Sequence, residues 1–322
     1  MTRDRVLDAL REAGSEYVSG EALARSLGLS RTAVWKAIDQ LRREGYRIES
    51  GPNRGYRLGA DNDVLSLEGL SRYLREPRIR PQVYESIGST NTALKSLAAE
   101  GAPEGLALIA GAQSQGRGRL GRSFYSPAGS GLYLSLLLRP DCDPGKATQL
   151  TACAAVAVAE ALEELSGKSV GIKWVNDLLM DGKKVCGILS EASLDCESGT
   201  VNYVIVGVGI NVRRPEGGFP EELRDIAGAA FGDESIPDLR CRLAASVLDR
   251  LWRAYEHRED GGVLEAYRKR SLVLGRPINI LPREGEPERA TALEIEPDFA
   301  LRVRLEDGTI RRLNSGEVSI RI

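Results

Sequence analysis

The spacing of apolar residues changes twice along this chain of 322 residues, so the sequence predicts three folding units. Up to about residue 60, apolar residues first follow a helical period and then alternate over a short hairpin. Helical and strand-like stretches are mixed between 66 and 270, and short alternating runs follow Gly275. The predicted units are residues 1–60, 66–270 and 272–322, with a polar linker at 59–65, and the fold class is α+β.

Three helices and a hairpin are predicted in the first unit. The helices cover 3–13, 21–27 and 31–43, and Ser19 and Ser30 are candidate N-caps of the second and third. Alternating residues then flank a turn at 51–55. This order of elements predicts a winged helix-turn-helix.

The cations of this unit suggest a DNA-binding surface. Residues 1–60 carry 11 Lys and Arg against 8 Asp and Glu, a net charge of +3, whereas the rest of the chain carries −5. Arg31, Thr32 and Lys36 lie on the polar face of the third helix, and Arg54 lies at the hairpin tip. These four residues are the candidate DNA contacts, and a helical unit used for protein contacts is the alternative.

The second and third units are predicted from apolar runs and helical stretches. Strands are expected at 106–110, 132–138, 170–175, 185–189 and 201–212, and helices at 92–99, 147–165 and 239–258. These elements predict one mixed sheet backed by helices. Alternation at Leu301, Val303 and Leu305 before the turn at Asp307 and Gly308 predicts a small β-barrel at the end of the chain.

Cysteine and histidine usage excludes several kinds of site. Five cysteines with no C-x-x-C spacing argue against a disulfide framework or a zinc centre. A single histidine, His257, leaves no basis for a multi-histidine metal centre and little for a Ser-His-Asp triad. The charged N-terminus is unlike a signal peptide and no run is long enough to span a membrane, so we expect a cytoplasmic protein.

Residues 116–121 match the pattern G-x-G-x-x-G, but their context is not that of a dinucleotide-binding turn. Glycine and proline at 127–131 interrupt any helix after the pattern, and Arg117, Arg119 and Arg122 crowd the segment with positive charge. The segment therefore predicts a basic loop that closes over a negatively charged ligand.

A second group of candidates lies in the segment from Lys173 to Leu189. Strict alternation would place Lys184 on the face of Cys186 and Ile188, and Lys183 on the opposite face with Val185 and Leu189. One of the two lysines would then point toward whatever this sheet face binds, where its charge can stabilise a carboxylate or phosphoryl oxygen, and two solvated lysines beside a turn are the alternative. Asp177, at a strand end, is a candidate Mg²⁺ ligand.

Two further segments have less specific patterns. Ser89, Thr90 and Asn91 precede a helix, where simple N-capping explains one of them. The run 206–212 (VGVGINV) is a strand whose glycines indicate either a close approach to a ligand or a bulge.

Taken in order, these motifs resemble those of the biotin protein ligases. The shared motifs are Ser-Thr-Asn at 89–91, Gln113 leading into GRGRLGR, KWVNDL followed by KKVCGIL, and GVGIN, and the resemblance extends over the whole chain. The predicted winged helix makes the chain similar to the bifunctional form, which is both biotin ligase and biotin operon repressor. The resemblance implies a biotin/lipoate ligase-like central fold and an SH3-like β-barrel at 272–322.

The resemblance also implies a reaction and its residues. Biotin and ATP would give biotinoyl-5'-AMP, and the acyl group would pass to a lysine of the biotin carboxyl carrier protein. Lys184, Arg119 and Arg117 would be catalytic, with Lys184 the essential lysine. Biotin and the adenylate would be held by Ser89, Thr90, Asn91, Gln113, Gly116, Arg117, Gly118, Arg119 and Lys184. The ATP side would comprise Arg122, Phe124, Asn176, Asp177 and Asn211, with Mg²⁺ on Asp177.

Two positions depart from the family pattern. Val175 stands where the family usually has proline, and we expect altered rigidity there rather than lost chemistry. Phe124 stands where tryptophan is frequent, so an aromatic contact remains without the indole N–H donor.

Regulation is implied in the same way. The adenylate would act as corepressor, order loops that include 213–220 and favour a homodimer on operator DNA, in competition with the carrier protein. The alternatives are a ligase whose winged helix does not regulate transcription, and a biotin-responsive regulator with weak ligase activity.

Overall fold

A computed structural model describes residues 1–52, 54–143, 146–194, 199–281, 286–314 and 317–319. Its first unit contains α1 (Thr2–Glu12), α2 (Gly20–Leu27), α3 (Arg31–Arg43), β1 (Ile48–Gly51) and β2 (Gly55–Leu58). The hydroxyls of Ser19 and Ser30 accept hydrogen bonds from the backbone N–H groups of Ala22 and Ala33, which confirms both predicted caps. The three helices and the antiparallel hairpin form the predicted winged helix-turn-helix around their own apolar core.

The segment 59–65 has no regular secondary structure, but it is packed against both neighbouring units. Asn62 is 5% exposed, and its side chain accepts from the Arg47 N–H and donates to the carbonyls of Arg47 and Gly59. Asp63 accepts hydrogen bonds from the backbone and guanidinium of Arg240. The polar composition that predicted a linker thus corresponds to a network of interdomain hydrogen bonds.

A seven-stranded mixed sheet forms the second unit. Its strands are β3 (Arg80–Tyr84), β4 (Leu106–Ala110), β5 (Gly131–Leu138), β6 (Gly171–Lys173), β7 (Asp177–Met180), β8 (Lys183–Leu194) and β9 (Val201–Asn211). The spatial order is β3-β4-β5-β9-β8-β7-β6, with β3 and β4 parallel and the remaining neighbours antiparallel. Residues directly opposite each other on antiparallel strands share a face, so this register determines which side chains reach the site.

Helices cover both faces of this sheet. They are α4 (Leu67–Ser71), α5 (Thr90–Ala99), α6 (Ala147–Ser166), α7 (Leu239–Glu256) and α8 (Gly262–Arg270). The main core lies between the sheet and α6 and α7, whereas α5 packs over a smaller cluster on the other face. The start of α5 lies beside the glycine-bearing parts of β8 and β9, and this is where the site forms.

The last unit is a five-stranded antiparallel sheet. Its strands are β10 (Pro277–Leu281), β11 (Glu288–Ile295), β12 (Leu301–Leu305), β13 (Ile310–Leu313) and β14 (Glu317–Ser319), in the order β13-β12-β11-β10-β14. The Trp174 indole donates to the Phe299 carbonyl at 2.9 Å, which connects this sheet to the β6–β7 turn. Among the described residues, no helix is long and apolar enough to cross a membrane.

Several predicted bounds need correction. The strand expected at 170–175 ends at Lys173, because residues 174–176 turn the chain into β7, and the Trp174–Val175 peptide bond is cis. The helix expected at 239–258 ends at Glu256, with His257 as its C-cap. The segments that form β3, α4 and α8 were not predicted, since each is short or weakly periodic.

Candidate functional site

A cavity of about 510 Å³ opens beside the α5 face of the central sheet. This volume lies within the range of sites for small organic ligands. The lining brings together nearly all residues predicted for the catalytic site: Ser89, Thr90, Asn91, Gln113, Arg117, Gly118, Arg119, Arg122, Phe124, Asn176, Asp177, Lys184 and Asn211. Gly116 does not line the cavity, and a Cβ there would meet the Phe124 carbonyl oxygen at 2.3 Å, so its role is to let the loop pass close to itself.

Uncharged polar groups form one end of the cavity. Ser89 caps α5, as simple N-capping predicts, while the Thr90 N–H and hydroxyl donate to Gln113 Oε1 at 2.8 and 3.1 Å. The Ser135 hydroxyl lies 2.7 Å from Thr90 Oγ1 and 2.6 Å from Asn91 Oδ1. Thr90, Asn91 and Ser135 are all buried, so these hydrogen bonds fix the side chains before any ligand binds.

Three glycines of β8 and β9, named the glycine floor (Gly187, Gly207 and Gly209), provide the sheet surface of the cavity. A Cβ on Gly207 would lie 2.0 Å from Asn91 Oδ1, and a Cβ on Gly209 would lie 2.7 Å from the Phe124 ring. The glycines therefore allow Asn91 and Phe124 to lie directly on the sheet. The close approach that the sequence suggested is made by the protein's own side chains.

Lys184 reaches the cavity because β8 contains a bulge. Leu178 is opposite Cys186 and Leu179 is opposite Lys184, so Val185 is the extra residue. Lys184 consequently lies on the face of Gly187, and a Cβ on Gly187 would be 3.3 Å from Lys184 Nζ. Strict alternation, which grouped Lys184 with Cys186 and Ile188, was wrong.

Cys186 and Lys183, the neighbours of Lys184 on β8, do not face the cavity. Cys186 is fully buried in the main core opposite Ile210, and burial raises the pKa of its thiol. Lys183 leaves the cavity, since its ammonium donates to the Asp225 carbonyl at 2.6 Å.

Opposite charges are paired at the centre of the site. Lys184 Nζ lies 2.6 Å from Asp177 Oδ1, and Arg119 donates to Asn176 Oδ1 at 3.0 Å. Asn176 in turn donates to the Ile188 carbonyl at 2.7 Å, which fixes its orientation against β8. The side-chain amide of Asn211, at the end of β9, donates to the Lys184 carbonyl at 3.4 Å. Two cations, Lys184 and Arg119, are therefore held together on one side of the cavity.

The basic loop, residues 116–122, is folded back over the cavity. The Gly118 N–H donates to the Arg122 carbonyl at 2.7 Å, and the Phe124 N–H donates to the Gly116 carbonyl at 2.9 Å. Arg117 pairs with Glu191 at 3.0 Å and is 46% exposed, so it lies at the rim rather than at the centre. Arg122 and Phe124 line the cavity, and the Phe124 ring packs edge-on against Tyr133.

The donor set around Asp177 does not form a magnesium site by itself. Asp177 Oδ1 is engaged by Lys184, and the described parts of the chain contain no group of three or more His, Cys, Asp or Glu side chains arranged to hold a metal ion. Mg²⁺ requires several oxygen ligands, so a single paired carboxylate fits the ion only as an addition to phosphate oxygens of a substrate.

The candidate DNA contacts lie on α3 and on the hairpin of the first unit. Arg31, Thr32 and Lys36 are exposed on α3, and Arg54 on the hairpin packs over the Tyr17 ring at 4.4 Å. A shallow groove between α3 and the hairpin contains Arg31 and Thr32 and also Trp35, which is 57% exposed. Recognition helices of winged units present such residues to a DNA groove.

Sequence reasoning missed two polar residues of the site. Ser135 and Glu191 each contact Asn91 from within strands, at 2.6 and 2.9 Å. Their signal is a polar side chain on the α5 face of β5 and β8, and it becomes visible only when the register of β5, β9 and β8 is known.

Comparison with known proteins identifies the family. The Biotin/lipoate A/B protein ligase family matches residues 83–211, an HTH domain matches residues 2–57, and the Biotin protein ligase C terminal domain matches residues 273–321. Over 314 residues the chain is 32% identical to the bifunctional ligase/repressor BirA of Escherichia coli, covering 96% of this chain and 94% of that protein. The chain belongs to the biotin protein ligases.

Other relatives agree with this assignment. BirA of Bacillus subtilis is 42% identical over 228 residues, which cover 70% of this chain and 69% of that protein. A biotin protein ligase from Aquifex aeolicus, solved in complex with biotin and ATP, superposes with a TM-score of 0.62 at 29% identity, covering 75% of this chain and 98% of that one. The ligase therefore combines the catalytic fold of this family with an N-terminal helix-turn-helix.

Proposed function

We propose that this ligase joins biotin and ATP into biotinoyl-5'-AMP and then transfers the biotinoyl group to a lysine of the biotin carboxyl carrier protein of acetyl-CoA carboxylase. The main support is the composition of the cavity, where uncharged polar groups at one end adjoin Lys184 and Arg119. A biotin--[acetyl-CoA-carboxylase] ligase of Mycobacterium tuberculosis is 34% identical over 224 residues. Such a substrate and an ATP-requiring step favour the cytoplasm as the location of the ligase.

The first step joins two anions, and the cations of the cavity make it feasible. A carboxylate oxygen of biotin attacks the α-phosphorus of ATP, the bond to the β-phosphate oxygen breaks, and pyrophosphate leaves. Lys184 and Arg119 reduce the repulsion between the carboxylate and the phosphates and stabilise charge on the equatorial oxygens. Thr90, Asn91 and Gln113 hold the uncharged ring of biotin at the other end, and Phe124, Arg122, Asn176 and Asn211 face the nucleotide.

The second step requires a protected intermediate. The amine of the carrier lysine attacks the acyl carbon, the bond to the phosphate oxygen breaks, and AMP leaves. The mixed anhydride hydrolyses readily, so the basic loop must exclude water until the carrier docks. Gly116 allows the loop to fold back on itself, because a Cβ there would meet the Phe124 carbonyl oxygen, and Gly118 lines the cavity.

Magnesium enters this proposal with the nucleotide. Mg²⁺ supplies charge neutralisation on the phosphates of ATP when bound there. Asp177 lines the cavity and is the carboxylate that such an ion could contact there. However, Asp177 is already paired with Lys184. We therefore assign no step to a protein-held metal.

A repressor role is proposed for the first unit. Arg31, Thr32, Lys36 and Arg54 would contact operator DNA, and biotinoyl-5'-AMP would act as corepressor by favouring a homodimer that presents two winged units. The helix-turn-helix match at 2–57 and the bifunctional ligase/repressor relatives support this part. We likewise propose functional units at 1–60, 66–270 and 272–322.

Labelling of a purified carrier domain tests the ligase and distinguishes its two adjacent lysines. Lys184→Ala should reduce ATP- and biotin-dependent labelling by about 10²-fold or more, because a preorganised charge at the reacting phosphate is lost. Lys183→Ala is the matched control and should label at near the normal rate, since its ammonium is bound to backbone carbonyls outside the cavity. Undiminished labelling by Lys184→Ala would contradict the site assignment.

An operator-binding assay tests the second activity. Affinity for operator DNA should rise when biotinoyl-5'-AMP is present, and Arg31→Ala should weaken binding while labelling remains normal. Equal affinity with and without the adenylate would support the alternative, a ligase whose winged helix does not regulate transcription.

A further inference from the structure

Glu191 occupies a position that connects two parts of the site. It lies on β8, on the α5 face of the sheet, and its side chain is 20% exposed. Its Oε2 accepts a hydrogen bond from Asn91 Nδ2 at 2.9 Å, and its Oε1 accepts one from Arg117 Nη1 at 3.0 Å. One carboxylate therefore contacts both the buried polar end of the cavity and the basic loop that covers it.

The contact with Asn91 determines how its amide is turned. Nδ2 faces two acceptors, the Leu189 carbonyl at 3.1 Å and Glu191, whereas Oδ1 faces the Ser135 hydroxyl at 2.6 Å. The Asn91 amide lies directly on the sheet, in the place that a Cβ on Gly207 would take. Removing Glu191 would leave one of the two amide hydrogens without its acceptor in a buried place, which favours other orientations of the side chain.

The contact with Arg117 has a different character. Arg117 is 46% exposed, so an ion pair there contributes little to global stability. The ion pair nevertheless connects the basic loop to the central sheet. Arg117 lies two residues before Arg119 in this loop. Losing this ion pair should lower the population of the closed loop more than it lowers the stability of the fold.

We propose that Glu191 is a positioning residue for biotin: it orients the Asn91 amide and anchors the basic loop through Arg117. In this proposal Arg117 holds the basic loop against the sheet, whereas Arg119 and Lys184 contact the reacting groups. The part of this inference that concerns biotin rests on the proposed function, whereas the loop anchor does not.

Kinetics on two variants of Glu191 test the contact with Asn91. Glu191→Ala should raise the KM for biotin about tenfold, the effect of one lost charge-assisted hydrogen bond, with kcat and the KM for ATP changed by about twofold at most. Glu191→Gln keeps an oxygen for Asn91 and should restore most of the biotin KM.

Loop anchoring is measured without any substrate. Trypsin cleavage after Arg119 and Arg122, mapped by mass spectrometry, should be faster in Glu191→Ala, Glu191→Gln and Arg117→Ala, because each lacks the ion pair. Glu288→Ala is the control, since it removes an ion pair of 2.9 Å with Arg311 in the last unit and should alter neither cleavage nor KM.

The outcomes distinguish the parts of the proposal. An unchanged biotin KM in Glu191→Ala, or equal losses in Glu191→Ala and Glu191→Gln, would overturn the orienting role. Cleavage rates equal to that of the parent protein in all three variants would overturn the anchor. If the parent protein fails to label the carrier, the proposed function fails, and the cleavage experiment still decides the anchor.

Discussion

Asp177 and Lys184 form a close charged contact inside the cavity, with 2.6 Å between Oδ1 and Nζ, and each side chain is less than one-third exposed. The pair lies at the junction of β7 and β8, where the bulge at Val185 turns Lys184 inward. Asp177 thus restricts the ammonium to one region of the cavity while no substrate is present. A lysine on a four-carbon stem needs such a restraint to act at a defined atom.

Asp177→Asn separates this restraining role from a metal-binding role. We expect kcat for adenylate formation to fall about tenfold, because the amide holds the ammonium less firmly than the carboxylate does. The Mg²⁺ concentration that gives half-maximal activity should stay the same, since Lys184 and not the ion is the partner of Asp177. Pyrophosphate release measured over a series of Mg²⁺ concentrations provides both quantities.

The neighbouring turn supplies a control for this substitution. Asp181 has a φ of 49°, which asparagine adopts as readily as aspartate, so Asp181→Asn changes the same charge in the same hairpin without touching the cavity. It should have normal kinetics. A rise in the Mg²⁺ requirement of Asp177→Asn would instead support the magnesium ligand that the sequence suggested.

The presence of a residue in the site was predictable where the residue belongs to a sequence motif. It was not predictable where the register of paired strands determines which side chains face the cavity. Thr90, Gln113 and Lys184 lie in short motifs, so their presence in the cavity followed from the sequence. The face of Lys184 did not, since a one-residue bulge reverses the alternation beyond it. Glu191 and Ser135 lie outside the motifs, and only strand pairing brings them to Asn91.

At the scale of the element, β9 carries two glycines with different neighbours on the cavity face. Gly207 faces Asn91 and Gly209 faces Phe124. Their backbone is extended in a regular strand, so neither glycine is needed for an unusual φ. Each is needed because a side chain from another element occupies the place of its Cβ.

Alanine at these two positions should therefore affect different substrates. In Gly207→Ala the new methyl displaces Asn91, which is held by several hydrogen bonds, and the KM for biotin should rise about tenfold or more. In Gly209→Ala the methyl displaces the Phe124 ring, and the KM for ATP should rise by about tenfold instead. Initial rates with one substrate varied at saturating concentrations of the other measure both constants.

Gly262→Ala is the control for an added methyl group. No atom lies within 4 Å of the position its Cβ would take, and the residue belongs to helix α8, so the variant should retain both constants and gain slightly in stability. Equal effects of Gly207→Ala and Gly209→Ala on both substrates would show that the glycine floor does not divide the cavity into two parts.

Elements with strong periodicity were predicted to within a few residues. The predictions for α3 and β4 have the observed bounds, because an apolar stripe between clear caps defines the helix and a short continuous apolar run defines the buried strand. The strand expected at 170–175 was too long, since a turn begins within an apolar run whose composition resembles a strand. The edge strand β3 has exposed charged and polar residues and so lacks that signal.

At the scale of the whole molecule, the DNA-binding unit is held against the catalytic unit by charged groups. Arg11 on α1 pairs with Asp238 at 2.9 Å, and both side chains are nearly buried, at 13% and 7% exposure. The Tyr73 hydroxyl donates to the same carboxylate at 3.1 Å, and burial together with this negative charge raises the pKa of Tyr73. Asp238 also donates its N–H to the Asn62 carbonyl in the connecting segment.

A continuous set of contacts links this interface with the nucleotide side of the cavity. The Asn211 and Val212 carbonyls accept hydrogen bonds from Ala230 and Phe231, and the chain then runs to Asp238 within a few residues. Ser235 donates to the Ala60 carbonyl on the way. Residues 230–238 thus contact the end of β9, the connecting segment 59–65 and α1 of the winged unit.

Replacing Arg11 should change operator binding while leaving the chemistry intact. Arg11→Met removes one partner of a nearly buried pair and should weaken docking of the winged unit by about 2 kcal/mol. Operator affinity should fall about tenfold, because the two winged units of a dimer must then be ordered when DNA binds. Carrier labelling should remain normal, since Arg11 does not line the cavity.

Asp238→Asn completes a double-mutant cycle on this pair. Asp238 has a φ of 52°, which asparagine tolerates, so the substitution removes the charge without disturbing the start of α7. The double variant should bind operator DNA better than Arg11→Met alone, because no unpaired charge is left in the interface. Arg302→Met, which breaks an exposed pair with Glu294, should leave operator binding unchanged. If Arg11→Met binds the operator as tightly as the parent protein, docking of the winged unit does not determine DNA affinity, and each unit acts on its own.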